Sequence, residues 1–290
     1  MRIFNEGDCV IVEDVSEFDI RQTLECGQCF HFEKLDEMDY AVVYKKHLLR
    51  IKQNGNVLKC ENTSVEEFEN VWKYYFDLDR DYKCIQEDLI SADERLLEAI
   101  KENRGVRILN QDFAETLMSF IISQNKQIPH IKAIVKSLSE KYGDYLGSIN
   151  GMDFYAFPDE LQIKKISEEM YRECKTGFRA PYLFDAGVKL NSEDFNSEGL
   201  RNMGYDLAKE KLITIKGVGE KVANCVLLFA LGYRNAFPVD VWIKRIMEHM
   251  YFEKETDNNE IMRFAKERFG DYGGYAQQYL FYYAREKKMK

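Results

Sequence analysis

The stretch Leu212-Ile213-Thr214-Ile215-Lys216-Gly217-Val218-Gly219-Glu220-Lys221-Val222-Ala223-Asn224-Cys225 constrains the fold of this chain more than any other. Two glycines one residue apart allow a tight turn and bring bare backbone N–H groups close to an external group. Val222, Cys225, Val226, Phe229 and Ala230 then recur at helical spacing, so a helix is predicted to begin at the glycines. Its first N–H groups lack internal partners and carry the positive end of the helix dipole, which makes this terminus a phosphate site without side-chain charge. Lys221 falls on the first turn, where the dipole and partial burial both favour a neutral, nucleophilic amine. Taken singly, such a lysine reads more plainly as an exposed residue near a cap, and a lone Gly-x-Gly as a simple connection between helices.

Nineteen positions after Lys221 stands Asp240, within Phe237-Pro238-Val239-Asp240-Val241-Trp242. Gly232 ends one helix, and Asp240 precedes the apolar pattern Val241, Ile243 and Ile246, so an N-cap accounts for it locally. The pair changes that reading. Helix, glycine turn around an apolar residue, small Ala223 and second helix together resemble the helix-hairpin-helix motif of DNA-binding proteins, with Lys216 where that family usually has proline. With the lysine and the proline-aspartate region added, the pattern resembles the superfamily of base-excision DNA glycosylases built on a hairpin and a Gly/Pro-Asp region. The resemblance implies that Lys221 attacks C1′ of a nucleotide, while Asp240 assists its deprotonation and stabilises oxocarbenium-like charge. A lysine at this place is similar to the bifunctional members, which form a Schiff base with the sugar and then nick the strand by β-elimination.

The rest of the chain divides by period. Val10–Val12 is a short apolar run, Tyr40, Val42 and Tyr44 alternate, and Leu49 and Ile51 continue the alternation to Asn54-Gly55, a hairpin signal followed by Val57-Leu58. From Ser64, which with Glu67 forms a capping-box pattern, Val65, Phe68, Val71, Trp72 and Tyr75 fall at helical spacing, and nearly everything beyond reads as helix. The predicted class is α+β: an N-terminal antiparallel sheet domain with helices over residues 1–103, then a mainly helical domain over 104–290 that carries the hairpin.

Further segments are similar to the 8-oxoguanine DNA glycosylases in particular. Cys26-Gly27-Gln28-Cys29-Phe30 resembles that family's Gly-Gln segment, which implies that the Gly27 carbonyl accepts the N7–H of the lesion. Guanine has a bare N7 lone pair there, so the undamaged base loses a bond, a difference of about 1–3 kcal/mol. Tyr275-Ala276-Gln277 and Phe281 resemble the glutamine that bonds the Watson–Crick edge and the phenylalanine that stacks on the flipped base, with Cys225 as the other wall. Ser123-Gln124-Asn125-Lys126-Gln127 resembles the loop that fills the gap left by the base, Asn125 falling on its asparagine. Gly177-Phe178-Arg179-Ala180 resembles the wedge, with Phe178 in place of the common tyrosine and Arg179 as the arginine that contacts the orphaned base. The family's second cytosine-reading arginine corresponds to His130, and Lys126 and Gln127 replace asparagines. Gly217 and Gly219 would meet the DNA backbone.

The formal charge of −9 argues against a nucleic-acid binder if taken alone. Screening confines each exposed charge to about 8 Å, so the charge lining a groove and the amides aimed at phosphate matter more. Local basic positions are Arg104, Arg107, Lys126, Lys132 and Lys136, and then Arg285, Lys287, Lys288 and Lys290. Seven scattered cysteines do not suggest a disulfide framework, and Cys26 and Cys29 form a lone C-x-x-C without a second pair, so no metal site is expected. The chain from Leu231 to Lys290 holds no cysteine for an iron-sulfur cluster. No cofactor is required by the implied chemistry; a monovalent cation on the hairpin carbonyls is left open. The expected partner is double-stranded DNA containing 8-oxoguanine. No segment reads as a membrane span or secretory signal, so a cytoplasmic protein is expected, nucleoid-associated if bacterial, and a monomer because a duplex is clasped between two domains. Two alternatives stay open: an alkylated-purine glycosylase, which needs no lysine, and a non-catalytic helix-hairpin-helix module.

Overall fold

A computed structural model describes residues 1–288; Lys290, one of the basic positions named above, lies outside them. The N-terminal part is a six-stranded antiparallel sheet in the order β1-β2-β6-β5-β4-β3. Its strands are β1 (Arg2–Glu6), β2 (Cys9–Glu13), β3 (Phe32–Asp36), β4 (Asp39–Tyr44), β5 (His47–Asn54) and β6 (Val57–Glu61). Tyr40, Val42 and Tyr44 turn one face of β4 toward Phe68, Trp72, Tyr75 and Phe76 and toward Ile20 and Leu24 of helix α1 (Ile20–Glu25). Ala41 and Val43 are buried too, because a second hairpin, β7 (Tyr145–Ile149) and β8 (Met152–Tyr155), lays Ile149 and Phe154 over the opposite face.

The β7–β8 hairpin corrects the expectation that nearly everything beyond Ser64 is helix. Its turn is Asn150-Gly151, both residues at positive φ (52° and 76°), the combination that a two-residue type I′ loop demands. At the β5–β6 hairpin expected from Asn54-Gly55 the last pair is Asn54 with Val57, so the loop is Gly55-Asn56, and of these two only Gly55 takes a positive φ, of 57°. The Ser64 pattern also closes only by half. Its side chain accepts from the Glu67 N–H at 3.1 Å, while the Glu67 carboxylate is drawn off to His47 Nδ1 at 2.6 Å.

The helical part comprises α2 (Tyr82–Ala92), α3 (Leu97–Glu102), α4 (Phe113–Ile122), α5 (Ile128–Tyr142), α6 (Ala180–Leu190), α7 (Tyr205–Ile213), α8 (Glu220–Phe229), α9 (Val241–Met247), α10 (Asn258–Phe269) and α11 (Gly273–Glu286), with shorter turns between. Its core gathers Leu117, Ile121, Val226, Leu227, Ile243, Ile246, Ala276 and Leu280, and Tyr82, Ile85, Leu89, Leu96 and Ile100 pack into it although they precede residue 103. The two cores are joined at the segment that holds Gly27. The buried Gln28 amide donates to Thr23 O (2.8 Å) and Arg107 O (2.7 Å) and accepts from Leu109 N–H (2.9 Å), and Gln28 O accepts from Gln111 (2.7 Å). Nothing in this clamp can slide without leaving buried polar groups unpaired.

The basic patch expected around residues 104–136 is largely absent. Arg107 is 3% exposed and donates to the carbonyls of Ser16, Glu17, Asp77 and Arg80, so it is a brace between loops. Arg104 pairs with Glu17, and Lys132 and Lys136 both face Glu33. No helix of the described residues is long and apolar enough to cross a membrane.

Candidate active site

The hairpin forms between α7 and α8. Gly217 takes φ +77° at the turn, and a Cβ there would stand 2.4 Å from the Tyr182 ring, so both conformation and packing demand glycine. Replacing Gly217 by alanine is expected to lower stability by about 1–3 kcal/mol through overpacking; a urea unfolding midpoint equal to that of the parent protein would contradict this. Lys216, at the usual proline position, uses its backbone N–H to donate to Asp185 Oδ2 at 2.8 Å, an anchor that proline cannot make. Gly219 caps α8 with no side chain, leaving the N–H groups of the first turn turned outward. Asn224, fully buried, accepts from Tyr205 OH at 2.6 Å and donates to Glu220 O at 2.9 Å, which locks α7 to α8.

Lys221 is half-buried on the first turn of α8, its Nζ 4.9 Å from the centroid of the Phe120 ring. Phe120 stacks on Phe229 at 5.5 Å and meets Phe30 edge-on at 5.7 Å, so the amine rests on a rigid aromatic platform. Sequence alone does not single out Phe120, because inside the apolar run 117–122 it is indistinguishable from core. Asp240 caps α9, accepting from Ile243 N–H at 2.9 Å. Burial holds its carboxyl above the usual aspartate range, against the pull of that N–H and of the Lys221 charge. Cys225, one turn beyond Lys221, is pushed up to about 11 by burial, with Lys221 opposing, so it is a neutral thiol.

These residues share one pocket. About 320 Å³ of empty space is lined by Gly27, Phe120, Lys221, Cys225, Phe229, Pro238, Asp240, Gln277, Gln278 and Phe281. The structure thus brings together Lys221, Asp240, Cys225, Gly27, Gln277 and Phe281, from four remote stretches of the chain. Gln277 Oε1 is buried without a hydrogen-bond partner among the described residues, a group that a ligand's donor would satisfy. Gln278, not anticipated, donates to Cys26 Sγ at 3.0 Å and so ties α11 to the Gly27 segment; the signal in the sequence is a Gln-Gln pair in an otherwise apolar helix. A larger groove of about 890 Å³ between Lys45, Lys46 and Glu160 holds no comparable pairing of an amine with a buried acid.

Asn125, Phe178, Arg179 and His130 lie outside this pocket. Asn125 is exposed and left-handed (φ 51°), Phe178 is 53% exposed, and His130 is exposed on the first turn of α5. Arg179 departs from the expected outward position. It is 4% exposed and donates through Nε (2.9 Å) and Nη2 to Gln124 O and through Nη1 to Thr176 O. Its guanidinium lies 4.2 Å from the Phe178 ring, which meets Tyr182 edge-on, and Gln124 Nε2 donates to Gly217 O at 3.0 Å. The 123–127 loop, the 177–180 segment and the hairpin are therefore one connected assembly.

Comparison with known proteins agrees with this geometry. Residues 118–270 match the HhH-GPD superfamily of base excision DNA repair proteins, and residues 10–117 match the 8-oxoguanine DNA glycosylase N-terminal domain. A structure described as MBOgg1 with a low-affinity DNA ligand is 41% identical, with 99% of each chain covered and a TM-score of 0.95. The Clostridium acetobutylicum 8-oxoguanine glycosylase/lyase, bound to duplex DNA with cytosine opposite 8-oxoguanine, is 38% identical over 99% of each chain, also with a TM-score of 0.95. The Arabidopsis thaliana N-glycosylase/DNA lyase OGG1 is 28% identical over 92% of this chain and 77% of its own. The chain belongs to the HhH-GPD superfamily of base excision DNA repair proteins, and within it to the 8-oxoguanine DNA glycosylases.

Proposed function

We propose that this chain turns 8-oxoguanine out of duplex DNA, displaces it with the amine of Lys221, and nicks the strand by β-elimination. The observation that carries the reading is the convergence of Lys221, Asp240, Gln277, Phe281 and Gly27 on one pocket beside a phosphate-binding hairpin. Asp240 takes a proton from the Lys221 ammonium, and the free amine attacks C1′. The C1′–N9 bond breaks with its electron pair passing to the base, which is protonated as it leaves. Opening of the sugar gives an imine between Nζ and C1′, and loss of a C2′ proton then expels the 3′ phosphate.

Gly27 reads N7–H, Gln277 the Watson–Crick edge, and Phe281 and Cys225 sandwich the ring, while Asn125 and Phe178 serve the gap and the orphaned base and the buried Arg179 holds their two segments together through Gln124 O. Two domains, over 1–103 and 104–290 and with the helices of residues 82–102 docked into the core of the second, clasp the duplex as a cytoplasmic monomer. The chemistry needs no cofactor. A monovalent cation at the hairpin would rest on backbone carbonyls there, among which that of Gly217 also accepts from Gln124. A gel assay on an 8-oxoguanine oligonucleotide, read with and without alkali, tests the whole: strand cleavage without alkali is expected. Faster release of methyladenine than of 8-oxoguanine would favour the alkylated-purine reading instead.

His130 bears on the opposite base. A bidentate base contact by arginine supplies about 1–3 kcal/mol of discrimination, and an imidazole at this place cannot make it. The preference for cytosine over adenine opposite the lesion is expected to be weak, and His130→Arg to raise the ratio of excision rates about ten- to a hundredfold. A ratio that does not move on this substitution removes His130 from the reading.

A further inference from the structure

We infer that Arg285 is a specificity-determining residue that donates to the C8 oxygen of the flipped base, an inference that rests on the 8-oxoguanine reading above. Gln277, Phe281 and Arg285 follow one another at four-residue spacing along α11 and form a single stripe. Arg285 Nη2 donates to Glu25 O at 2.6 Å and lies 3.5 Å from Glu286. Its Nη1 is buried and has no acceptor among the described residues. A buried guanidinium N–H left without an acceptor is costly, and such groups persist in native proteins where something else supplies the acceptor. The place of this one is telling. A Cβ at Gly27 would stand 3.1 Å from Nη1 and 3.3 Å from Phe281 Cε1. The unsatisfied donor therefore sits directly beside Gly27, at the end of the stripe opposite Gln277.

Oxidation changes guanine at two adjacent atoms: N7 gains a hydrogen and C8 gains an oxygen. A base whose N7–H points to the Gly27 carbonyl carries that oxygen on the next ring atom, near the same residue. With Gln277 at the Watson–Crick edge, the C8 end of the base lies toward Arg285. In this conformation Nη1 is covered, with the Phe281 ring beside it, and movement of that ring onto the face of the base uncovers it. The oxidised base then supplies the missing acceptor in a charge-assisted hydrogen bond. Guanine, with hydrogen at C8, leaves Nη1 unsatisfied. Gly27 and Arg285 thus read the two ends of one chemical difference, and any side chain at position 27 would push against Nη1.

A substrate-by-variant cycle tests this. Single-turnover excision is measured opposite cytosine for 8-oxoguanine and for 8-thioguanine, which keeps N7–H but puts a weak acceptor at C8, in the parent protein, Arg285→Met and Arg285→Lys. Arg285→Met is expected to slow 8-oxoguanine excision about tenfold or more, to narrow the preference for oxygen over sulfur by the same factor, and Arg285→Lys to restore part of both. Equal slowing of the two substrates, or no slowing, overturns the inference and leaves Arg285 a strut for Glu25. Thermal unfolding midpoints of the parent and both variants separate loss of fold from loss of contact. A parent protein that cleaves abasic DNA but releases neither base overturns the base assignment and this inference with it, whereas failure of the inference alone appears only in the variants.

Discussion

Replacing Lys221 by glutamine is expected to abolish base release, strand nicking and the covalent adduct trapped by borohydride, with excision slowed about 10⁴-fold or more. Glutamine reproduces most of the lysine's reach but offers an amide nitrogen with no free lone pair, so the loss is one of chemistry. The half-buried position of Lys221 on an exposed helix turn tolerates the change, and the contact forfeited with the Phe120 ring is worth about 0.5–2 kcal/mol at most. Duplex binding persists, because the hairpin grips phosphate with backbone N–H groups that the substitution does not touch.

The neighbouring groups cannot take over. Cys225, whose thiol burial pushes up to about 11, is almost wholly protonated at neutral pH and sits deeper in the helix core. Removing the Lys221 charge also withdraws a force that favours the Asp240 carboxylate, so in the variant that acid is held still further toward its neutral form. A parent protein that gives no borohydride adduct would return Lys221 and Asp240 to the roles of surface residue and helix cap. An adduct that survives in the variant would point to another amine.

The parts of this site that are legible in sequence are those whose physics is local. Two glycines around Val218, a helix period after them and a carboxylate before the next helix can each be read within a few residues, which puts Lys221 and Asp240 at two helix starts, but their roles in catalysis come from the family resemblance. The sandwich of Cys225 and Phe281 and the role of Gly27 require a family resemblance, because nothing local distinguishes Phe281 from the core residues Tyr279 and Leu280 beside it. Phe120 stays hidden for the same reason. Arg107 and Arg179 look like available charge in sequence and are not, since a guanidinium's five donors can be consumed by backbone carbonyls of loops far away in the chain. β1 and β3 escape because each strand of five holds only two apolar residues, Ile3 and Phe4 in β1 and Phe32 and Leu35 in β3, too few to show a period. The β7–β8 hairpin is masked by helical patterns on both sides despite Asn150-Gly151, the very dipeptide found at Asn54-Gly55.

Asp240→Asn should separate catalysis from stability, because the proposed reading gives the one side chain both tasks. Asparagine caps a helix about as well as aspartate, so the bond from Ile243 N–H that starts α9 is kept. What goes is the base and the negative charge, and excision is expected to fall about 10²–10⁴-fold. The pH profile carries the signature. Asp240 works as the carboxylate, and burial raises its pKa above the ordinary 3.8, so the parent rate declines on acidification at a higher pH than an exposed aspartate would set. The residual rate of the variant lacks that limb. Stability runs the other way. An acid whose folded pKa is raised contributes fully to stability below its unfolded pKa, and the contribution is lost as pH rises through the folded value. At pH 7 the buried carboxylate therefore weighs against the fold, and the asparagine variant is expected to melt no lower than the parent there, with any advantage fading on acidification. A variant that melts several degrees lower at pH 7 would show that the charge strengthens the cap more than burial penalises it. One that excises at the parent rate would leave Asp240 a cap and nothing else.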